Sequence, residues 1–183
     1  KVIGNSTPRY EYSFRLGADY KGFDFSIYCQ GIGKRKIWGA GQLAIPGWNA
    51  KEGAMPETFC KDYWTEDNTD AYYPRAWDLG GSNTGFTMQR QSKYLLNMAY
   101  LRVKNINFGY TFPQKWMKKA YINNLRVYMS LENFFTFDHL RGLPIDPEAI
   151  SGYSMFSDNY NLGRTGTGTP VFKSLSFGLQ LSF

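Results

Sequence analysis

Three neighbouring carboxylates are the side chains of this chain that come closest to a catalytic pattern. Glu66, Asp67 and Asp70 are close in sequence, and paired carboxylates perform acid–base chemistry where their surroundings drive their pKa values apart. Loop carboxylates in water rarely meet this condition, and the calcium-loop spacing Asp-x-Asp-x-Asp-Gly is missing. We therefore expect solvated loop charges here, with no catalytic residue and no metal ligand.

The single histidine and the two cysteines also lack the partners that chemistry would need. His139 has no His or Cys companion at metal-ligand spacing, so a hydrogen-bonded loop histidine is expected. Cys29 has the apolar parity of a predicted strand, whereas Cys60 falls in a long predicted loop, which argues against a bridge between them. The sequence therefore predicts two free thiols and no cofactor.

The final segment, from Val171 to Phe183, has the most regular pattern of the chain. Apolar side chains occupy every second position, with Lys173 as the exception. Successive residues of a β-strand point to opposite faces, so the segment predicts a strand with one apolar and one polar face. Such a strand either closes an outer-membrane β-barrel or covers the core of a β-sandwich.

Four further segments show extended patterns, and one of them changes its phase. A short turn at Lys21-Gly22 predicts a hairpin between the first two strands. In the third strand the apolar parity changes near Lys104-Asn105, which predicts a β-bulge, unless the strand leaves the bilayer midway. The sequence thus predicts an all-β, antiparallel chain of about five strands, near residues 9–20, 22–31, 94–112, 122–137 and 171–183.

Composition excludes some classes of protein. Mean hydropathy is −0.45 and no apolar run is long enough for a spanning helix, while aromatic residues make up 18% of the chain, as outer-membrane barrels allow. The net charge of +6 is spread along the sequence rather than clustered, which argues against nucleic-acid binding. The two basic trios, Lys34-Arg35-Lys36 and Lys115-x-x-Lys118-Lys119, each lie beside a Trp, which suits either a membrane interface or a solvated loop.

The lengths of the connections favour a membrane barrel over a soluble sandwich. Short turns at 21–22 and 113–120 alternate with long excursions at 1–8, 31–93 and 138–170, and outer-membrane barrels have short periplasmic turns and long extracellular loops. Five strands are too few and odd in number for a complete small barrel. The chain opens at Lys1 without a signal peptide. We therefore expect a mature or internal fragment that supplies the C-terminal part of a larger barrel.

Several segments, in this order, resemble the C-terminal region of SusC/RagA-like TonB-dependent outer-membrane transporters. The resemblance covers essentially the whole chain, and its specificity comes from the ordered set rather than from any single motif. It rests on the segments Ile3-Gly4-Asn5-Ser6-Thr7-Pro8-Arg9-Tyr10, Gly17-Ala18-Asp19-Tyr20-Lys21-Gly22-Phe23-Asp24, Tyr63-Trp64-Thr65, Tyr73-Pro74-Arg75, Tyr100-Leu101-Arg102-Val103-Lys104-Asn105-Ile106, Gly109-Tyr110, Leu125-Arg126-Val127-Tyr128, Glu132-Asn133 and Asp146-Pro147-Glu148.

The resemblance implies the last strands of a plugged barrel of about twenty-two strands with long extracellular loops. It implies import of oligosaccharide or peptide across the bacterial outer membrane, driven by TonB. The implied partners are the rest of the barrel and its plug, a SusD-like surface lipoprotein, and membrane lipid with lipopolysaccharide. The N-terminal plug and TonB box are not in this chain.

Aromatic loop residues are the first candidates for contact with a substrate or a lipoprotein lid. Rings of this kind stack on sugars or dock proteins, although a loop this long also needs aromatics for a small core of its own. Trp64 and Trp77 are the preferred contacts. The full candidate set is Trp48, Trp64, Tyr72, Tyr73 and Trp77.

Charged residues of polar parity are expected to face the barrel lumen, where they pair with one another or with the plug. These are Arg15, Asp19, Asp24, Arg126 and Glu132. By the same resemblance, the terminal Phe183 is expected to be the signal that the barrel-insertion machinery reads.

The sequence thus favours a barrel segment of a transporter that is not an enzyme. The main alternative is a soluble, secreted all-β module that binds carbohydrate with exposed aromatics. A weaker alternative is a fragment of a smaller porin or adhesin without TonB coupling.

Overall fold

The computed structural model describes residues 1–39, 56–75, 90–118, 121–148 and 168–183, which contain seven β-strands and two short helices. In chain order these are β1 (Tyr10–Tyr20), β2 (Phe23–Gly33), β3 (Lys36–Ile37), α1 (Glu57–Lys61), β4 (Leu96–Asn97), β5 (Tyr100–Thr111), α2 (Gln114–Met117), β6 (Asn124–Asp138) and β7 (Ser174–Ser182). Neither helix in the described ranges has the length and apolar character needed to cross a membrane.

The five long strands form one sheet in the order β1-β2-β5-β6-β7, and the other two strands, β3 and β4, form a separate ribbon. Strand β2 pairs antiparallel with β5, and β6 pairs antiparallel with β7. Lys21 and Gly22 join β1 to β2 with φ angles of 48° and 89°. Positive φ at both central residues is what a type I′ hairpin turn requires. The prediction of an all-β, antiparallel chain with about five main strands is confirmed, and the sheet is not closed into a barrel within this chain.

The predicted β-bulge is confirmed in β5. Tyr28 lies opposite Asn105, but the next residue of β2, Cys29, lies opposite Val103, so Lys104 is the extra residue. The extra residue shifts the phase of the strand by one. As a result, both halves of β5 place their apolar side chains on the same face of the sheet, where they are cross-strand neighbours of the apolar residues of β2.

The predicted third strand, 94–112, was too long, because the chain turns at Met98 and Ala99. The side chain of Asn97 accepts a hydrogen bond from the Ala99 N–H at 3.2 Å, and the Met98 N–H donates to Arg35 O at 2.9 Å. These bonds direct residues 96–97 to β3 instead of the large sheet. The helix α1 also lies in a stretch that was expected to be irregular, and Cys60 belongs to it.

The final strand begins at Ser174, three residues later than predicted. The paired register of β6 with β7 ends at Glu132 and Ser174. The next residue, Asn133, has φ of 56°, a left-handed conformation that interrupts a strand ladder and that Asn tolerates better than most residues. Its Nδ2 donates to Phe172 O at 3.1 Å, so residues 171–173 are tied to β6 through a side chain rather than through the ladder.

The chain divides into two compact units. The loop unit comprises 1–9, 33–99 and 138–170, and the sheet unit comprises 10–32, 100–137 and 171–183. The long excursions predicted from the sequence thus fall mainly in the loop unit. In the described part of this unit, one hydrophobic core cluster consists of five buried residues, against which Trp38, Tyr94 and Leu96 pack. The five are Ile37, Met98, Leu140, Leu143 and Ile145.

On the polar face of the sheet unit, an ion pair joins β2 to β6 by passing over a glycine of β5, the strand between them. Asp24 of β2 pairs with Gly109 of β5, and Arg126 reaches from β6 to contact Asp24 through Nε at 2.9 Å and Nη2 at 2.5 Å. A Cβ at position 109 would lie 2.7 Å from Arg126 Nη2 and closer still to the Asp24 carboxylate. Only glycine leaves room for this two-point contact.

Two tyrosine side chains also lie over a glycine of a neighbouring strand. Tyr12 of β1 lies over Gly31 of β2 and donates its hydroxyl to Tyr100 O of β5 at 3.1 Å. The ring of Tyr128 in β6 lies over Gly178 of β7, where a Cβ would overlap it. Glycine weakens a strand on its own. At each of these positions that loss of local strand stability accompanies a side-chain contact across the sheet.

Replacing Gly109 with alanine should destabilise the sheet unit by about 1–3 kcal/mol, because the new Cβ separates two part-buried charges that then lack their partner. The measurement is the temperature at which the full-length protein loses its folded band on unheated SDS gels. Gly17→Ala is the matched control, since its Cβ would meet only ordinary contacts, at 3.5 Å and 4.0 Å. Equal effects of the two substitutions would contradict the ion-pair explanation.

Leu140→Ala should loosen the loop unit, because Leu140 is 2% exposed in its core. Truncation of such a leucine costs about 2–5 kcal/mol through lost burial and the cavity left behind. We expect faster proteolysis within residues 56–75 and 138–148, with the folded band on unheated gels unchanged. Ile3→Ala, at a site that is 39% exposed in the same unit, is the control and should leave proteolysis nearly as in the wild type.

Candidate functional site

The loop unit contains a cavity of about 520 Å³ lined by aromatic, apolar and charged side chains. Three stretches of chain contribute to it, one after α1, one before and within β4, and one after β6. Volumes of this size are typical of small-ligand sites. The lining residues are Tyr72, Tyr73, Tyr94, Leu95, Leu96, Asn97, Asp138, His139, Leu140, Arg141 and Leu143.

Tyr72 is held in place at both of its ends. Its backbone N–H donates to Asp62 Oδ1 at 3.2 Å, and its hydroxyl donates to Lys93 O. Its ring meets Tyr73 and Tyr94 edge to face, with centroids 4.9 Å and 5.6 Å away. Edge-to-face packing is a favoured arrangement of aromatic rings, and it gives the cavity a wall of three tyrosines.

Arg141 places its guanidinium against this wall. Its Cζ lies 3.9 Å from the ring centroid of Tyr72, a cation–π contact, and its Nη2 lies 3.4 Å from Asp62 Oδ2. Arg141 and Gly142 have φ angles of 58° and 78°, which form the tight turn that presents the side chain. Thr58 of α1 holds this turn by donating its hydroxyl to Gly142 O at 2.8 Å.

Two other polar residues of the cavity are engaged with backbone groups, one within its own loop and one in a distant segment. Asp138 Oδ1 accepts the Leu140 N–H at 2.9 Å, an Asx-type turn. His139 Nδ1 lies 3.2 Å from Ala99 O, so an Nδ1–H donates there. His139 is therefore a hydrogen-bonded loop histidine in this structure, as the sequence predicts.

Burial acts on two of the three tyrosines of the wall. It raises the pKa of the Tyr73 phenol and the pKa of the Tyr94 phenol above the usual value, because an ionised phenolate would lose its hydration. Within the described ranges, the structure has no group of three or more His, Cys, Asp or Glu side chains placed to hold a metal ion. The site therefore contains aromatic rings, one guanidinium and hydrogen-bonding groups, all of which are suited to binding a ligand.

Only part of the predicted contact set lies in this cavity. Tyr72 and Tyr73 line it, whereas Trp64 does not and is joined to Tyr73 through a backbone hydrogen bond of 3.1 Å. Trp48 and Trp77 lie outside the described residues. Sequence reasoning missed Tyr94 and Arg141, and the only local signal was the Arg141-Gly142 turn directly after a predicted strand.

The predicted lumen charges are distributed over the polar face of the sheet unit. Asp24 and Arg126 form the ion pair across Gly109. Arg15 lies over the ring of Tyr28, with Cζ 5.7 Å from its centroid. Asp19 and Glu132 are exposed. The polar face also carries hydrogen bonds between side chains of neighbouring strands, such as Asn105 Nδ2 to Ser130 Oγ at 3.1 Å.

Comparison with known proteins gives a consistent result. No family model matches the chain. A TonB-dependent receptor P3 of Formosa agariphila is 27% identical over the full length of this chain and 17% of its own length. The RagAB peptide importer in its closed-closed and open-open states matches the whole chain with TM-scores of 0.68 and 0.65, at 24% identity and over 18% of the solved chain.

These matches confirm the fold and the resemblance seen in the sequence. The chain spans less than a fifth of the proteins it matches, and its open five-stranded sheet has the fold of a segment of their barrels. The chain is therefore similar, over its whole length, to SusC/RagA-like TonB-dependent transporters, and it has the fold of a fragment of one.

Proposed function

We propose that this chain forms part of the barrel wall and the extracellular loops of an outer-membrane, TonB-dependent importer of oligosaccharide or peptide. The observation that carries the proposal is the exposed apolar face of a sheet that has the fold of such a barrel. The relatives are named as a receptor and a peptide importer, and the proposed role is transport rather than catalysis.

The apolar face has the exposure expected of a lipid-facing wall. In β1 and β7, large apolar side chains recur at every second position and are exposed, for example Leu16 at 61%, Phe177 at 76% and Leu179 at 61%. Polar residues occupy the other parity. Alternation of this kind places the apolar residues in lipid and the polar ones in the lumen of a barrel.

The same face disfavours the soluble binding module. In a β-sandwich, the inner faces of two sheets interdigitate and bury their apolar side chains. The exposed side chains of β1 and β7 do not have that environment. The similarity to receptor and importer chains also favours a segment of a membrane barrel over a soluble module.

The edges of the sheet support a larger assembly. Both β1 and β7 end the sheet, and every residue of β1 is exposed. An unpaired edge presents free backbone groups that pair readily with another strand. The proposed occupants are further strands of the same barrel. The plug, TonB and a SusD-like lipoprotein are the other proposed partners, with the plug against the polar face that carries Asp24 and Arg126.

The short turns suit the periplasmic membrane–water interface, where the proposed lipid contact is phospholipid, whereas lipopolysaccharide is proposed to contact the extracellular side. Trp116 of α2 is 62% exposed and Tyr121 is 90% exposed, and Lys21 Nζ lies 5.0 Å from the ring centroid of Tyr20. Exposed aromatics paired with lysines are characteristic of residues at headgroup level.

Extraction of outer membranes in mild detergent should yield these peptides in one species of roughly a hundred kilodaltons, together with a surface lipoprotein, because barrels of about twenty-two strands need several times this chain. Mass spectrometry of the intact species and its partners is the measurement. A soluble, monodisperse species of 21.0 kDa would overturn the proposal.

Deletion of Phe183 should lower the amount of assembled protein in the outer membrane several-fold, since the terminal aromatic is proposed to be the assembly signal. Quantitative blotting of outer-membrane fractions measures this. Phe172→Ala is the control, because Phe172 is similarly exposed, at 76% against 81%, and also lies outside the strands. Normal assembly of the deletion variant would remove Phe183 from this role.

A further inference from the structure

We propose that the cavity of the loop unit binds a carboxylate of the ligand and that Arg141 is the residue that recognises it. This inference rests on the proposed function and makes it more specific, because it assigns a charge to the imported ligand. The ligand class is a small acidic molecule, either a peptide with acidic side chains or an oligosaccharide that contains uronic acid.

The geometry of Arg141 suits carboxylate recognition. A guanidinium has five N–H donors in one plane and binds a carboxylate at two points. The contact with Asp62 uses Nη2 at a long distance of 3.4 Å, and both side chains are about half exposed, at 53% and 39%. This contact is weak enough for a ligand carboxylate to compete with it, while the Tyr72 ring at 3.9 Å keeps the guanidinium in position.

A second cation reinforces the positive character of the same wall. Lys93 Nζ lies 5.7 Å from the ring centroid of Tyr72 and 5.4 Å from that of Tyr94. The acidic residue of the cavity, Asp138, directs Oδ1 to the Leu140 N–H and so stabilises its own loop. Arg141 and Lys93 thus both place a cation against the rings of this wall.

The arrangement of the rings favours charge recognition over ring stacking. Arg141 covers one face of Tyr72, and the neighbouring rings present edges at interplanar angles of 83° and 87°. A neutral sugar binds best to an open aromatic face, which Tyr72 lacks on the side of Arg141. The volume of about 520 Å³ fits a ligand of a few amino-acid or sugar units.

The test measures binding to the purified full-length protein by isothermal titration calorimetry at low and high salt. The probes form two matched pairs, triglutamate with triglutamine, both acetylated at the N-terminus and amidated at the C-terminus, and trigalacturonate with neutral trigalactose. The variants are Arg141→Gln and Arg141→Lys. Lys61→Gln is the control, because Lys61 is a cation of the same unit that pairs with Glu57 and does not line this cavity.

We expect at least one acidic probe to bind the wild type more tightly than its neutral partner, with an affinity that falls as salt rises. Arg141→Gln should weaken that binding about 10- to 100-fold, the range for hydrogen bonds to charged groups. Arg141→Lys should have an intermediate effect, because it keeps the charge but loses the planar fork. Lys61→Gln should match the wild type, and the acidic probe that binds identifies the source of the carboxylate.

Several outcomes would overturn the inference. They are acidic probes that bind the wild type no better than their neutral partners, binding that does not respond to salt, or equal affinities of Arg141→Gln and Lys61→Gln. If Arg141→Gln fails to fold, Arg141→Lys and the salt dependence of the wild type give the decision. Failure of the proposed function is separate, since it would be detected by the outer-membrane extraction and not by binding.

Discussion

The ion pair between Asp24 and Arg126 constrains the alignment of three strands at once. Its two-point contact forms because Gly109, in the strand between them, has no side chain. The pair therefore fixes the register of β2, β5 and β6 relative to one another on the polar face. A one-residue slip of any of these strands would move a charge to the apolar face. The bulge at Lys104 keeps the two faces of β5 separate as well. It returns the apolar side chains of β5 to the apolar face after the phase change.

Much of the sheet was predictable because its signals are local. Alternation with period two identifies the strands, Lys21-Gly22 identifies the hairpin turn, and the change of parity near Lys104 identifies the bulge. The errors at strand ends have long-range causes. The break at Met98 depends on Arg35, and the late start of β7 depends on Asn133. The alternation of apolar and polar residues within one strand contains no information about those distant partners.

The candidate site was less predictable for the same reason. Tyr72 and Tyr73 stand out in the sequence as aromatics in a long loop, but Arg141 is remote from them in the chain, and its only local signal is the glycine that follows it. Its role follows from the cation–π contact with Tyr72 and from the turn that Thr58 supports. Trp64, one of the two preferred contacts, lies outside the cavity, and the other, Trp77, lies outside the described residues.

The core of the loop unit has a consequence for engineering. Ile37 and Met98 lie near the two ends of segment 33–99, Leu140 lies in segment 138–170, and the three are buried together. A chimera that exchanged one excursion with that of a related transporter would therefore bring a foreign side chain into a packed core, where a change of even one methylene is felt. The segments that contribute to this core must therefore be exchanged as a set.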